Sequence, residues 1–87
     1  MAHTVEFESA KEVDLSRLEY PQVAVFSNLD DYPGKAVAKI MDSGKETNMM
    51  IVGEDLVTLH RDIRKYTELV WYWRGKDDVP ELVGMFL

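Results

Sequence analysis

Apolar and polar positions alternate in short runs along most of the chain, and one stretch keeps a helical period. Thr4, Val5, Glu6, Phe7 and Glu8 alternate polar with apolar. They read either as a short edge strand or as a tail, within residues 1–12, whose Phe7 docks on the core. Asp14 suits the cap of a short helical turn through Leu15 and Leu18, which must end before Pro21. Residues 23–26 are short, apolar and β-branched, as in a strand or buried extended segment. The turn formers of residues 27–34 follow, closing on Pro33 and Gly34.

Residues 35–42 predict a strand with Val37, Lys39 and Met41 on one face and Ala36, Ala38 and Ile40 on the other. Ser43 and Gly44 supply a turn into a second apolar run at residues 48–52, so the two runs predict an antiparallel hairpin. Gly53 breaks that run and Asp55 is a good helix N-cap. Leu56, Leu59, Ile63 and Tyr66 then fall on one stripe of a helix, with Thr58, Arg61, Asp62 and Lys65 opposite, toward water. Arg61, Arg64 and Lys65 crowd its carboxyl-terminal half, where cations suit the dipole. Residues 69–74 form the strongest strand pattern, with Trp71 and Trp73 on one face and Val70, Tyr72 and Arg74 on the other. Pro80 bounds a last strand over residues 82–87. The sum is one α+β domain over residues 1–87, two-layered, with one amphipathic helix on a mostly antiparallel sheet of about four or five strands.

Composition narrows the chemistry. Apolar residues make up 46% and charged residues 30%, ordinary for a globular domain. No cysteine is present, which excludes disulfides, thiolate catalysis and thiolate-bound metals. Net charge is −6, carried mostly by residues 1–33, where seven acids (Glu6, Glu8, Glu12, Asp14, Glu19, Asp30, Asp31) face only Lys11 and Arg17. That sign repels phosphate backbones, so nucleic acid is not an expected partner. No apolar run approaches the roughly 20 residues of a membrane span, and no secretory leader pattern opens the chain. The expectation is a cytoplasmic protein with no membrane partner.

Tyr32-Pro33-Gly34-Lys35-Ala36-Val37-Ala38, followed by Val52-Gly53-Glu54-Asp55-Leu56 at the helix start, is similar to a group of short uncharacterised bacterial proteins, several from lactic-acid bacteria and their prophages. More distantly it resembles a widespread small domain of unknown function with a Tyr-x-Gly-Lys turn into a Val-Ala strand and a Gly-x-Asp-Leu step into its single helix. The resemblance covers roughly residues 14–87, and its motifs are turn and cap signals. It implies the same α+β fold and carries no activity, cofactor or catalytic residue. Met49, Met50 and the Trp71-Tyr72-Trp73 cluster lie outside the pattern.

Each candidate for chemistry has a plainer alternative. Lys35 at a strand mouth reads as an anion contact or, more simply, as a solvated lysine over Tyr32. His60 has Leu56, Val57, Ile63 and Arg64 at i±3 and i±4, so its helix offers no second metal ligand, and it reads as a boundary histidine. His3 is the other histidine. Asp30-Asp31 and Asp77-Asp78, with Glu81 nearby, read as solvated turn caps rather than a hydrolytic dyad or calcium loop. Ser9, Ser16, Ser27 and Ser43 sit in no nucleophile motif, and no phosphate-binding glycine loop occurs. A non-enzymatic protein without cofactor or metal is expected.

The aromatic strand is apolar on both faces, so one face needs a cover. The amino-terminal third, a second copy or a protein partner would supply it. Trp71, Tyr72, Trp73 and Arg74 are the expected partner-binding residues, with Met49 and Met50 as adaptable neighbours and a homodimer among the options. Two other readings stand beside this one. The first is an acidic DNA-mimic inhibitor of a nucleic-acid enzyme, built on the acidic third. The second is a small-molecule pocket or weak enzyme using Lys35, His60 or Tyr72 between sheet and helix.

Overall fold

A computed structural model describes residues 4–87; His3 and the start of the 1–12 segment lie outside the described residues. The order of elements is β1 (Val5–Phe7), two single 3-10 turns (Ala10–Glu12 and Leu15–Arg17), β2 (Pro21–Ser27), β3 (Ala36–Asp42), β4 (Lys45–Gly53), α1 (Leu56–Tyr66), β5 (Trp71–Trp73) and β6 (Leu82–Phe86). The strands form one sheet in the order β1-β4-β3-β2-β6-β5. The sheet therefore has six strands, more than the four or five expected. The addition is β1, which pairs in parallel with β4 while every other pair is antiparallel. Alternation at residues 4–8 reveals a strand but not its neighbour, because parallel pairing here depends on a long-range return of the chain.

The local signals act as their chemistry requires. Ser43 and Gly44 both have positive φ, +54° and +81°, closing β3 and β4 with a two-residue turn whose twist matches the strands. Tyr32 to Lys35 is closed by the Lys35 N–H donating to the Tyr32 carbonyl at 3.2 Å, with Pro33 second and Gly34 third at φ +74°. Asp14 caps the second 3-10 turn through the Ser16 N–H, and the Asp55 carboxylate accepts from the Thr58 N–H at 2.7 Å to start α1. Thr67 ends the helix, its N–H and hydroxyl both donating to the Ile63 carbonyl at 3.0 and 2.8 Å.

Leu59 and Ile63 of α1 are buried on a sheet floor of Val23, Val25, Ala36, Ala38, Ile40, Ile51 and Phe86. Complete burial of such side chains is worth about 1.5–3 kcal/mol each. Small residues let the helix sit close. A Cβ added at Gly53 would lie 2.9 Å from the Leu59 Cβ. Tyr66, expected on the same stripe, is the last helical residue and stays 42% exposed, with the Lys65 ammonium 5.2 Å from its ring centroid.

The amino-terminal segment packs on this same face. Phe7, Val13, Leu15 and Leu18 all join the cluster around Leu59 and Ile63. Asp62 holds the segment in place. Its carboxylate accepts from the Ser9 hydroxyl at 2.7 Å and from the Ala10 N–H at 2.5 Å. Helical periodicity places Asp62 toward water; instead the residue is half-buried beneath the incoming chain. This placement also corrects the expectation that the amino-terminal third covers the second sheet face. Among the described residues no helix or strand packs there. The β2–β3 loop reaches across one end, where Tyr32 hydrogen-bonds Glu6, and the carboxylate raises the phenol pKa above its ordinary value.

Two measurements check this packing. A Gly84→Ala change places a methyl group 2.5 Å from the Trp71 ring, and should destabilise the fold by about 1–3 kcal/mol, read as a lower urea midpoint at unchanged slope. Asp62→Ala leaves the Ala10 N–H without its acceptor and should cost about 1–3 kcal/mol, with faster hydrogen exchange confined first to residues 9–13.

Candidate functional site

The chain runs from β4 through α1 to β5 at the far end of the sheet, and β4 and β5 point the same way. This crossover leaves β5 as an edge strand paired only with β6. Val70 and Leu87 exchange both backbone bonds, at 3.0 and 2.9 Å, and the Arg74 N–H donates to the Val83 carbonyl at 3.2 Å. Alternation along an antiparallel ladder then turns the N–H and C=O groups of Trp71 and Trp73 outward, onto the free edge.

Trp71 and Trp73 share the helix-covered face, as their spacing predicts, yet their fates differ. Trp71 is half-buried in an aromatic cluster. Its ring centroid lies 4.8 Å from His60 edge-on and 4.9 Å from Phe86, and its indole covers Gly84. The indole N–H is buried without an acceptor among the described residues, a cost of about 1–3 kcal/mol offset by the ring packing. Trp73 meets Trp71 edge-on at 5.4 Å and is 76% exposed. Gly84 lies opposite Trp73 in the register, so the directly paired position has no side chain to cover it.

A shallow groove of about 520 Å³ lies between α1 and these rings, lined by Leu56, Val57, His60, Trp71, Trp73 and Val83, with Arg61 and Arg64 at its rim. Val83 enters it because the β2–β6 pairing slips: Val25 opposes Gly84 while Phe26 opposes Leu82, leaving Val83 as the extra residue of a bulge. The strand pattern of residues 82–87 holds no signal for that bulge. His60 sits in the wall, and burial, with the Arg64 charge second, pushes its pKa below the ordinary histidine value of 6.5.

The other expected partner-binding residues are dispersed. Tyr72 and Arg74 are exposed on the opposite side of β5 from Trp73; Arg74 Nη1 donates to the Asp78 carbonyl at 3.2 Å. Met49 and Met50 lie on β4, with β3, β2 and β6 between them and β5. Met49 packs on the core and Met50 occupies the uncovered face, in one register row with Glu6, Lys39, Ala24, Met85 and Tyr72. They are not neighbours of the aromatic strand, because residue spacing carries no information on strand order.

Lys35, His60 and Tyr72 do not converge on a pocket. Lys35 lines a separate groove of about 600 Å³ beside Glu6, Glu8, Glu54 and Asp62, a setting that repels anions. Asp30-Asp31 and Asp77-Asp78 are exposed turn residues, and Asp78 accepts from the Gly75 N–H at 2.7 Å. The seven acids of the amino-terminal third are all exposed but spread over β1, the 3-10 turns and the β2–β3 loop, with Asp14 engaged as a cap. No group of three or more potential metal ligands occurs among the described residues, and none of their helices is long and apolar enough to cross a membrane.

Comparison of the chain with protein-family models, curated proteins and solved structures finds no match in any of the three. The geometry of the β5 edge and its groove therefore carries the functional argument.

His60 gives that corner a pH signature. A depressed pKa means that folding favours neutral imidazole, so the associated stability is complete above pH 6.5 and is lost as pH falls through the folded-state value. Urea unfolding at pH 7.5 and pH 5.5 (about two units spanning that ordinary value) should show a loss of stability at the lower pH. His60→Gln should flatten that loss. The lowered pKa values of Asp14, Asp42 and Asp55, held down by hydrogen bonds, act in a separate window below 3.8.

Proposed function

We propose that this is a small non-enzymatic binding protein that captures an extended segment of a protein partner along the free edge of β5. The observation that carries the reading is the clustering of exposed apolar surface. Six of the nine exposed large apolar side chains described (Val57, Val70, Tyr72, Trp73, Val79 and Leu87) lie on β5 or directly before it, on the β5–β6 loop, at the residue paired with Val70 or on the adjoining helix face, with Val5, Tyr20 and Tyr66 elsewhere. Large apolar side chains concentrated at one place on a small protein mark an interaction site. Here they surround four outward backbone groups, two donors and two acceptors, at the spacing a further strand needs.

No similar protein contributes to this reading, which stands on β5 alone. Trp73 is its anchor: a large, rigid ring held edge-on by Trp71 and already free of intramolecular cover. Trp71 is the floor rather than the contact.

Two variants test the reading. Trp73→Ala removes the ring and keeps the edge. Trp73→Pro also removes an N–H that faces away from β6, so the β5–β6 ladder survives. With the immobilised protein and a lysate, a captured partner should be weakened about tenfold or more by the first variant and lost with the second, a difference of at least 1.4 kcal/mol. Bound partner should slow hydrogen exchange at the Trp71 and Trp73 amides. A partner retained equally by Trp73→Pro, with those amides unprotected, rules out the β5 edge as the site.

A further inference from the structure

The chemistry of the captured segment can be read from the charges around the groove, an inference that rests on the strand-capture reading above. The protein carries −6 overall, yet α1 carries +2: Arg61, Arg64 and Lys65 against Asp62. Asp62 is engaged by Ser9 and Ala10 beneath the amino-terminal segment. Arg61 and Arg64 stand at the rim of the groove, where no carboxylate lines it, and neither forms a salt bridge among the described residues. Arg61 acts on the Asp55 carboxylate only as a minor influence. Two arginines, with no carboxylate in the groove lining, thus stand beside the exposed aromatic edge of an acidic protein.

We propose that the β5 edge selects an acidic extended segment. Its helix-side residues, two apart in the strand, are an apolar side chain flanked by carboxylates. The apolar side chain fills the groove between Val57 and Trp73. The carboxylates meet the Arg61 and Arg64 guanidiniums, which offer planar paired donors suited to them. A second copy docking through its own β5 is the poorer occupant. Antiparallel pairing of two such edges brings two sets of arginines together, and like charges across an interface cost stability and suppress association.

The test uses a fluorescent seven-residue peptide, acetyl-Thr-Glu-Thr-Leu-Thr-Glu-Thr-amide, with the whole protein and an anisotropy readout. A second peptide replaces both Glu by Lys, and a third carries N-methyl groups on Leu and on the two Thr beside it, which removes edge-facing N–H donors in either strand direction. The expected result is binding of the acidic peptide about tenfold or more tighter than the lysine peptide, weakened as salt rises from about 50 to about 500 mM. Arg61→Glu/Arg64→Glu, at exposed positions and checked for folding by circular dichroism, should lose about tenfold or more in affinity and reverse the preference between the two peptides.

Equal binding of acidic and lysine peptides, both lost in Trp73→Pro, overturns the acidic preference and leaves strand capture standing. Equal binding of the N-methylated peptide overturns strand addition itself. No binding of the acidic peptide up to about 1 mM overturns this inference, while capture of a lysate protein that depends on Trp73 would keep the broader reading. Concentration-dependent dimerisation by sedimentation, abolished in Trp73→Pro, would assign the edge to a second copy and overturn the acidic-segment proposal.

Discussion

The contact of Leu59 and Ile63 with a floor of small and β-branched residues supports the rest of the molecule. A single helix covers a six-stranded sheet only if it lies close, and Gly53, Ala36 and Ala38 provide that closeness. Close packing recovers dispersion contacts and leaves little void, which matters in a chain with so small a core. The position of α1 also sets its neighbours. The residue beside the buried stripe, Asp62, becomes the anchor for the incoming amino-terminal segment, and that segment brings Phe7, Val13, Leu15 and Leu18 onto the same apolar layer.

One consequence is asymmetry. Both crossovers, the amino-terminal segment from β1 to β2 and α1 from β4 to β5, use one face of the sheet. The other face keeps a half-buried row in which Lys39 lies 5.1 Å over the Phe26 ring and pairs with Glu46 at 3.6 Å. Long polar side chains thus cover apolar surface while keeping their charges in water.

A second consequence is the edge. Because α1 delivers the chain to the outside of β6, the most apolar strand of the sequence has only one neighbour. Trp71 resolves part of that exposure by packing on His60, Phe86 and Gly84. Trp73 does not, since the glycine opposite it offers no cover. Natural edges are usually shielded by charge or covering elements. Here the arginines of α1 stand beside the edge without closing it, and that combination distinguishes this corner from β1, where Glu6 is bonded to Tyr32.

The sequence alone determined the elements whose causes are local. Asp55 caps the helix, Ser43-Gly44 closes the hairpin, Pro33-Gly34 turns the chain into β3, and the spacing of Leu59 and Ile63 defines the buried stripe. Each depends on residues within a few positions of one another. Tertiary structure alone decided the parallel pairing of β1, the shared face of helix and amino-terminal segment, the separation of Met49 and Met50 from Trp71, and the bulge that turns Val83 into the groove. These features depend on which distant strands meet. An apolar alternation records only that a strand has a face to bury, and contains no term for the neighbour that buries it.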